Sequence, residues 1–268
     1  MSRNIAIGIV TYNPGGNLIP RLSLALESGF VPFIFDNSPE NKIIRNFCAN
    51  GQNCRYSTCG KNVGLGVGIS AVCAQAYYDS FPALIFFDQD TVFNRDTLDF
   101  IEDFFVNNAG IASAYSAIVF NSKDYSKCAG RDFAFKDVLL ARSSGCLFFL
   151  ESLKKLNWHN ETYFVDCVDY EFCLKSHNHN FKIGECSTAP GFDHESEQPD
   201  VKYRVFGKER LLRRYSAKRI IDSMSAGAKL LIKSVVTGNI VFSAAIIRSL
   251  AIYLYGQFAV RINAFKLK

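Results

Sequence analysis

Two carboxylates separated by one residue are the first candidates for chemistry in this sequence. Asp88 and Asp90 flank Gln89 directly after the apolar run 83–87, which predicts a buried strand. If the chain turns there, both carboxylates can share a divalent cation with the phosphates of a ligand. Mg²⁺ and Mn²⁺ favour this combination of few carboxylates, water and phosphate oxygens. The alternative is a polar turn that caps the next helix.

A glycine-rich stretch is the second candidate. Gly64, Gly66 and Gly68 precede an Ala-rich segment, and free N–H groups at a helix N-terminus attract phosphate. A dinucleotide site is disfavoured, because it needs G-x-G-x-x-G directly after a clear strand. A plain tight loop stays open as the alternative to a phosphate cradle.

Acidic residues and one histidine further along could complete a site. A predicted helix over 164–178 places Asp166 and Asp169 on one face, where a carboxylate can act as general base. His194, between two acidic residues, could ligate a metal or lie on the surface. The sequence has neither H-x-x-x-H zinc spacing nor the G-x-S-x-G motif of a hydrolase.

The elements that must position these residues alternate in type over 1–120. Apolar runs alternate with helical segments, which indicates an α/β fold with a mostly parallel sheet covered by helices on both faces. Functional groups collect at the carboxyl ends of such strands, here at Thr11, Tyr12, Asp36, Asp88 and Asp90. The predicted strands are 5–10, 31–35, 54–58 and 83–87, and the predicted helices are 18–28, 40–48, one ending at 78, and 95–106.

The pattern changes after residue 120. We expect an apolar run at 143–150, a short helix at 151–156, the helix at 164–178 and a strand at 181–186, and then helices without strands over 201–268. The predicted organisation is a domain over 1–200, with a nucleotide-binding half at 1–120 and an acceptor half at 121–200. A helical basic extension follows over 201–268.

Charge and cysteine content restrict the class of protein. Residues 1–200 carry 16 Lys and Arg against 23 Asp and Glu, whereas residues 201–268 carry 14 against 2. A uniform basic coat for nucleic acid is therefore excluded. The nine cysteines predict free thiols in a reducing compartment. Only twelve uncharged residues separate Arg248 from Arg261, so we expect a cytoplasmic protein without a spanning helix, peripheral at the membrane.

The order of these motifs resembles glycosyltransferase family 2, which has the GT-A fold. The resemblance covers about 4–220 and is closest to the rhamnosyltransferase-like branch, where a strand ends in DQD or DSD. Seven ordered blocks are more specific than the carboxylate pair alone. The blocks are VTYNP, FDNS, KNVGLGVG, IFFDQDT, SSGCLFF, YFVDCVDYEFCLK and a DH pair, followed by RRYSAKR at 213–219.

The resemblance implies roles for particular residues. Asp88 and Asp90 would be the D-x-D pair for Mg²⁺ or Mn²⁺, and His194 would complete the metal shell. Asp169 matches the family's base, although Val168 replaces the first acid of the usual Glu-Asp pair. The donor nucleotide would contact Thr11, Tyr12, Asp36, Asn62, Gly64 and Asp88, and the acceptor side would include Ser144, Gly145 and Asp166.

The implied reaction is inverting, metal-assisted glycosyl transfer. Rhamnose or another hexose would move from a dTDP- or UDP-sugar to a saccharide or lipid-linked acceptor in surface polysaccharide synthesis, such as O-antigen or capsule. The expected partners are the inner membrane surface, bound by the basic C-terminal helices, and a second copy of the chain. Two other classes stay open: a sugar-nucleotide hydrolase or nucleotidyltransferase, and a non-catalytic membrane-associated component of a polysaccharide assembly complex.

Overall fold

The computed structural model describes residues 3–38, 40, 42–50, 53–127, 132–194, 201–205 and 208–262. They fall into two units, 1–195 and 196–268. The described strands of the first unit are β1 (Ile5–Thr11), β2 (Pro32–Asp36), β3 (Arg55–Thr58), β4 (Ala83–Asp88), β5 (Thr91–Val92), β6 (Tyr115–Phe120), β7 (Lys136–Asp137), β8 (Cys146–Phe149), β9 (Lys182–Cys186) and β10 (Asp193–His194).

Eight of these strands form one sheet in the order β3-β2-β1-β4-β8-β6-β9-β7. The strands β3, β2, β1 and β4 are parallel, β8 is antiparallel to both of its neighbours, and β6 and β9 are parallel. The expected α/β class is confirmed, with a mixed sheet. Because β1, β2 and β4 are parallel, their carboxyl ends lie at one edge of the sheet.

Helices cover both faces of the sheet. Ile5, Ile7 and Ile9 of β1 pack into a buried core with α1 and α4. Gly68 of α3 lies against Val10, where a Cβ would come within 2.7 Å of Val10 Cγ2, so glycine permits the close approach. The helices of the first unit are α1 (Leu18–Glu27), α2 (Ile43–Ala49), α3 (Leu65–Tyr78), α4 (Arg95–Asn107), α5 (Leu150–Lys155) and α6 (Val168–Asn178).

Two elements of the first unit differ from expectation. The central strand β6 was not expected, although its sequence YSAIVF is almost wholly buried. The helix α6 begins at Val168 rather than at 164, because Cys167 has a left-handed φ of 64° that interrupts helical geometry. Asp166 therefore lies in the turn before α6, and it does not share a helix face with Asp169 as we had predicted.

The cysteines also differ from expectation. The prediction of free thiols is wrong for Cys48 and Cys54, which form a disulfide. Their Cα atoms lie 5.8 Å apart, within the range that a disulfide requires. Of the other cysteines in the described ranges, four are buried and two reach the surface at least in part.

The second unit begins with a β-hairpin where we expected only helices. It contains β11 (Val201–Val205), β12 (Lys208–Leu212), α7 (Ala217–Val236) and α8 (Ile240–Ile262). Apolar and charged residues alternate in VKYRV, and Gly207 separates the two runs, which is a hairpin signal. By length and composition alone Ile240–Arg261 could cross a membrane, with a mean hydropathy of 1.4, and the expectation of no spanning helix stays a prediction.

A histidine is buried in the first unit without hydrogen-bond partners. His159 is 2% exposed. Its ring centroid lies 4.6 Å from that of Phe172, which stacks on it, and 5.0 Å from that of Phe148, which is oriented edge to face. Neither ring nitrogen has a hydrogen-bond partner among the described groups. Burial, aided by the charge of Lys175, lowers the pKa of His159 to about 3, so the ring is neutral at physiological pH.

Acidification should destabilise the protein through His159. The unfolded chain binds this proton near pH 6.5 and the folded protein near pH 3, so stability falls as the pH drops through this window. Between pH 6.5 and 5, the wild type should lose about 2 kcal/mol more free energy of unfolding than His159→Phe. Urea titrations at both pH values measure the difference, and equal losses would contradict a buried neutral ring.

Candidate active site

The chain turns directly after Asp88, at the carboxyl end of β4. Gln89 and Asp90 form the turn, and β5 begins at Thr91. Gln89 Oε1 accepts a hydrogen bond from the Tyr12 backbone N–H (2.8 Å), and Gln89 Nε2 donates to the Tyr12 carbonyl (3.3 Å). The side chain between the two carboxylates therefore joins this turn to the loop after β1.

The structure does not support the alternative that Asp88 and Asp90 cap the next helix. The cap of α4 is Asn94, whose side chain accepts a hydrogen bond from the Thr97 backbone N–H at 2.9 Å, while the Thr97 hydroxyl bonds the Asn94 backbone in return. The carboxylates of Asp88 and Asp90 are thus not required to begin the helix.

Two hydroxyl groups and a buried arginine hold the turn in place. The Asp88 backbone N–H donates to Ser144 Oγ (3.1 Å), which lies 2.6 Å from Thr91 Oγ1. Arg21, only 7% exposed, donates from Nη1 to the Thr91 carbonyl (2.7 Å). Ser144, expected on the acceptor side, therefore also positions the backbone of Asp88.

Asp169 occupies the first turn of α6 near the acidic pair. Ser143 Oγ donates a short hydrogen bond to Asp169 Oδ1. Burial raises the pKa of Asp169, while Ser143 and the nearby Arg142 oppose the rise. Burial and then the charges of Asp169 and Asp90 raise the pKa of Asp88 to about 7. Asp169, about 80 residues further along the chain, thus interacts with the Asp88–Asp90 pair at one edge of the sheet.

Asp88 and Asp90 fit a cation that is bound jointly with phosphate oxygens. The described ranges contain no cluster of three or more His, Cys, Asp or Glu side chains that could hold a metal alone. Mg²⁺ usually takes one or two carboxylates plus water and substrate phosphate, which matches this donor set. The backbone of His194 pairs with Thr91 beside the turn, and its side chain lies outside the described part of the chain.

The ends of β1 and β2 carry a buried polar network. Asp36 Oδ1 accepts hydrogen bonds from Thr11 Oγ1 (2.9 Å) and the Ser38 backbone N–H (2.9 Å), and Asp36 Oδ2 accepts from the Tyr56 hydroxyl (3.1 Å). Burial and the Asp36 charge raise the pKa of Tyr56 to about 12. Thr11 and Asp36 are fully buried, whereas Tyr12 is half exposed.

The glycine-rich stretch packs closely against protein, as the tight-loop alternative predicts. Gly64 is buried with φ at 95°, and a Cβ there would lie 2.5 Å from the Phe164 carbonyl oxygen. A Cβ at Gly66 would lie 2.6 Å from the Tyr163 carbonyl oxygen, and the Leu65 N–H donates to Phe164. The Phe164 carbonyl thus occupies the first N–H of this helix, and contact of Gly64 with the nucleotide stays a prediction.

An asparagine that the sequence did not single out holds this loop. Asn37 Nδ2 donates to the Gly64 carbonyl (3.1 Å), and Asn37 Oδ1 accepts from the Val63 N–H (3.0 Å). Exposed Asn62 accepts from the Gly64 N–H at 3.0 Å. The end of β2 thus fixes the start of α3.

A cavity of about 660 Å³ opens beside the first turn of α6. Arg142, Ser144 and Tyr170 line it together with Leu140 and Ala141, and Asn121, Ser122, Lys123, Glu185 and Phe192 are among the remaining lining residues. Gly145, with φ at 81°, is absent from the lining because it is packed between the Phe120 carbonyl and the Phe192 ring. Its placement on the acceptor side stays a prediction, and the structure gives it a packing role in the backbone.

Sequence reasoning missed the residues that support the acidic cluster. Arg142 directly precedes the SSGCLFF block and Ser143 is its first residue, so their position in the sequence was a usable signal. Arg21, Asn37 and Tyr56 gave no such signal, because their partners lie 20 to 70 residues away in sequence.

Comparisons with known proteins identify the architecture. No family profile and no curated protein sequence matches this chain. The TarS 1–349 fragment from S. aureus, in complex with UDP-GlcNAc, matches with a TM-score of 0.57 and 16% identity over 87% of this chain and 66% of its own. The chain has the GT-A fold. TarS itself matches with a TM-score of 0.53 and 14% identity, over 87% of this chain and 39% of TarS.

A second protein shares this architecture. GalNAc-T7, solved with UDP, GalNAc and Mn²⁺, matches with a TM-score of 0.50 and 11% identity over 70% of this chain and 43% of its own. Both neighbours are glycosyltransferases of GT-A-like fold. The chain thus spans between 39% and 66% of the length of these neighbours, and at such identities the likeness concerns the fold.

Cation binding should weaken below pH 7. Because the pKa of Asp88 is about 7, a cation must displace a proton from this carboxyl at lower pH. Calorimetric titration with Mn²⁺ should show affinity falling by up to about tenfold per pH unit from pH 7 to 5. Asp88→Asn should bind weakly and without this pH dependence. Constant affinity of the wild type over the range would contradict a role for Asp88.

Proposed function

We propose that this chain is an inverting glycosyltransferase that moves a sugar from a nucleotide-sugar donor to an acceptor hydroxyl. The observation that carries the proposal is the electrostatic interaction of Asp169 with Asp88 beside Asp90, at the edge where parallel strands end. The UDP-GlcNAc and the UDP, GalNAc and Mn²⁺ bound in proteins of the same fold support this donor class.

Asp169 acts as the general base in the proposed reaction. Ser143 orients its carboxylate, and the raised pKa makes it a stronger proton acceptor than an exposed aspartate. As the acceptor oxygen bonds to the anomeric carbon, its proton passes to Asp169 and the bond from that carbon to the diphosphate breaks. The electron pair leaves with the diphosphate. Because the acceptor attacks in line, opposite the leaving group, the configuration inverts and no bond to the protein forms.

Asp88 and Asp90 hold the cation in this proposal, with His194 as an additional ligand. When bound there, Mg²⁺ or Mn²⁺ supplies positive charge that stabilises the diphosphate leaving group. The charge of Arg142 opposes the rise in the pKa of both Asp88 and Asp169. It thereby favours the ionised carboxylates that cation binding and proton transfer require.

Donor and acceptor are assigned to different parts of the edge. We place the nucleotide over the half at 1–120, where Tyr12 and Asn62 are exposed and the buried Thr11 and Asp36 support the surface. The acceptor belongs to the half at 121–200, where the 660 Å³ cavity has Tyr170, the neighbour of Asp169, in its wall. Asp166, in the turn before α6, lies on the same side in this proposal.

The family resemblance refines the proposed substrates. Similarity to the rhamnosyltransferase-like branch favours rhamnose or another hexose, carried by dTDP or UDP. The acceptor is a saccharide or lipid-linked saccharide in the synthesis of a bacterial-type surface polysaccharide. The basic, apolar C-terminal unit supports placing this reaction at the cytoplasmic face of a membrane.

A donor screen followed by product analysis tests the function. dTDP- and UDP-sugars are screened with Mn²⁺ for protection against thermal unfolding, and a donor at 100 times its Kd should stabilise by about 2.7 kcal/mol. With that donor, a transferase should release nucleotide rapidly only when a saccharide acceptor is present, and the anomeric configuration should invert. Release of free sugar at full rate without acceptor would replace the proposal with a hydrolase.

Asp169→Asn should abolish most of the transfer rate without preventing donor binding. Asparagine is nearly isosteric but cannot take up the acceptor proton, so kcat should fall by about 10²–10⁴. Asp166→Asn is the matched control and should lose much less, because this residue lies outside α6. Steady-state kinetics measure both variants. A larger loss for Asp166→Asn would reassign the base.

A further inference from the structure

The α7–α8 hairpin exposes large aliphatic side chains at its turn. Val236 and Ile240 are each 80% exposed, and Val241, Ile232 and Val235 are 69%, 65% and 62% exposed. These five residues, here called the hairpin tip, lie around the uncharged turn 237–239. Single exposed apolar residues are ordinary, but a contiguous group marks an interaction surface.

Positive charges lie at one level behind the tip. The helices are antiparallel, with Ser234 Oγ 2.8 Å from Ser243 Oγ. Lys229 precedes Ser234 by five residues and Arg248 follows Ser243 by five, so both stand at the same height along the hairpin. At a rise of about 1.5 Å per residue, this height is about 10–12 Å from Val236 and Ile240.

The segment 223–268, which contains the hairpin tip, carries only positively charged side chains. After Asp222 the sequence contains no Asp or Glu, whereas 223–268 contain six Lys and Arg. An apolar tip about 10 Å deep, with two cations above it, matches the depth to which interfacial helices enter a bilayer and the height of the lipid phosphates. Lys233, half-buried beside Ile232, has a long stem that can carry its charge toward the headgroups. A second copy of the chain fits less well, because it would bring two groups of like charge together.

We propose that the hairpin tip inserts into an anionic lipid bilayer, to the depth at which Lys229 and Arg248 meet lipid phosphates. Insertion stops at the cations rather than continuing across the membrane. A complete crossing by α8 would place Arg248 in hydrocarbon, and it would draw in Lys229 and Lys233 on α7, which packs along α8. The occupant of this surface is thus a lipid headgroup layer with its underlying acyl chains.

Vesicle binding by the full chain tests the tip. The wild type should sediment with mixed phosphatidylglycerol–phosphatidylcholine vesicles and more weakly with phosphatidylcholine alone. The double variant Val236→Ser/Ile240→Ser should bind the mixed vesicles at least about a hundredfold more weakly, because each aliphatic side chain withdrawn from hydrocarbon weakens partition about tenfold or more. Ile221→Ser, at the far end of α7 and 66% exposed in the wild type, is the matched control and should bind as the wild type does.

A charge variant separates headgroup attraction from apolar insertion. Lys229→Gln/Arg248→Gln should weaken binding to mixed vesicles by about fivefold per residue and leave binding to phosphatidylcholine unchanged. Circular dichroism checks that every variant folds. Wild-type vesicle binding by the tip variant would overturn the proposal. So would a wild-type dimer in sedimentation velocity that the tip variant abolishes while vesicle binding persists, since the tip would then bind a second copy.

Discussion

The burial of Asp88 beside the charges of Asp169 and Asp90 is the constraint on which the surrounding contacts depend. Burial and these like charges raise the pKa of Asp88 to about 7, and Arg142 is the cation that opposes them. Such a cluster is unfavourable alone, so hydrogen bonds must hold it from several sides. A positive ligand relieves the repulsion, which is why strained carboxylate groups of this kind occur where proteins bind ligands.

Two consecutive serines each form a hydrogen bond to a different residue of this cluster. Ser144 accepts a hydrogen bond from the Asp88 backbone at the end of β4, whereas Ser143 donates to the Asp169 carboxylate on α6. Both serines lie in the turn before β8, so one short segment reaches a strand end and a helix start together. The separation of the proposed cation ligand from the proposed base is therefore fixed by the geometry before β8.

The alternation of apolar runs and helical segments was sufficient to predict the parallel half of the sheet. It also placed Asp36 and Asp88 correctly at strand ends, since the carboxyl ends of β2 and β4 meet at one edge. The start of α6 was not predictable, because the left-handed conformation of Cys167 has no signature in a cysteine. Nor was the contact of Arg21 with Thr91, 70 residues away, since hydrogen bonds between distant segments leave no local periodicity.

The glycines before α3 show that one sequence pattern fits two kinds of partner. Three glycines at a helix start predict a close backbone approach, and the structure has one at Gly64 and Gly66. The approaching groups are the carbonyls of Phe164 and Tyr163 rather than phosphate oxygens. Carbonyl and phosphate oxygens both accept hydrogen bonds from a helix N-terminus, so the sequence pattern alone does not distinguish them.

Gln89 limits which residues this turn can tolerate. Its amide acts like a peptide group toward Tyr12, since one end accepts from the backbone N–H and the other donates to the carbonyl. Glutamate has the same length but no donor, and serine in a DSD motif is too short to span the gap. Exchange of the middle residue alone would therefore remove both of these hydrogen bonds between the two loops. A chain that carries serine there needs a different bridge between them.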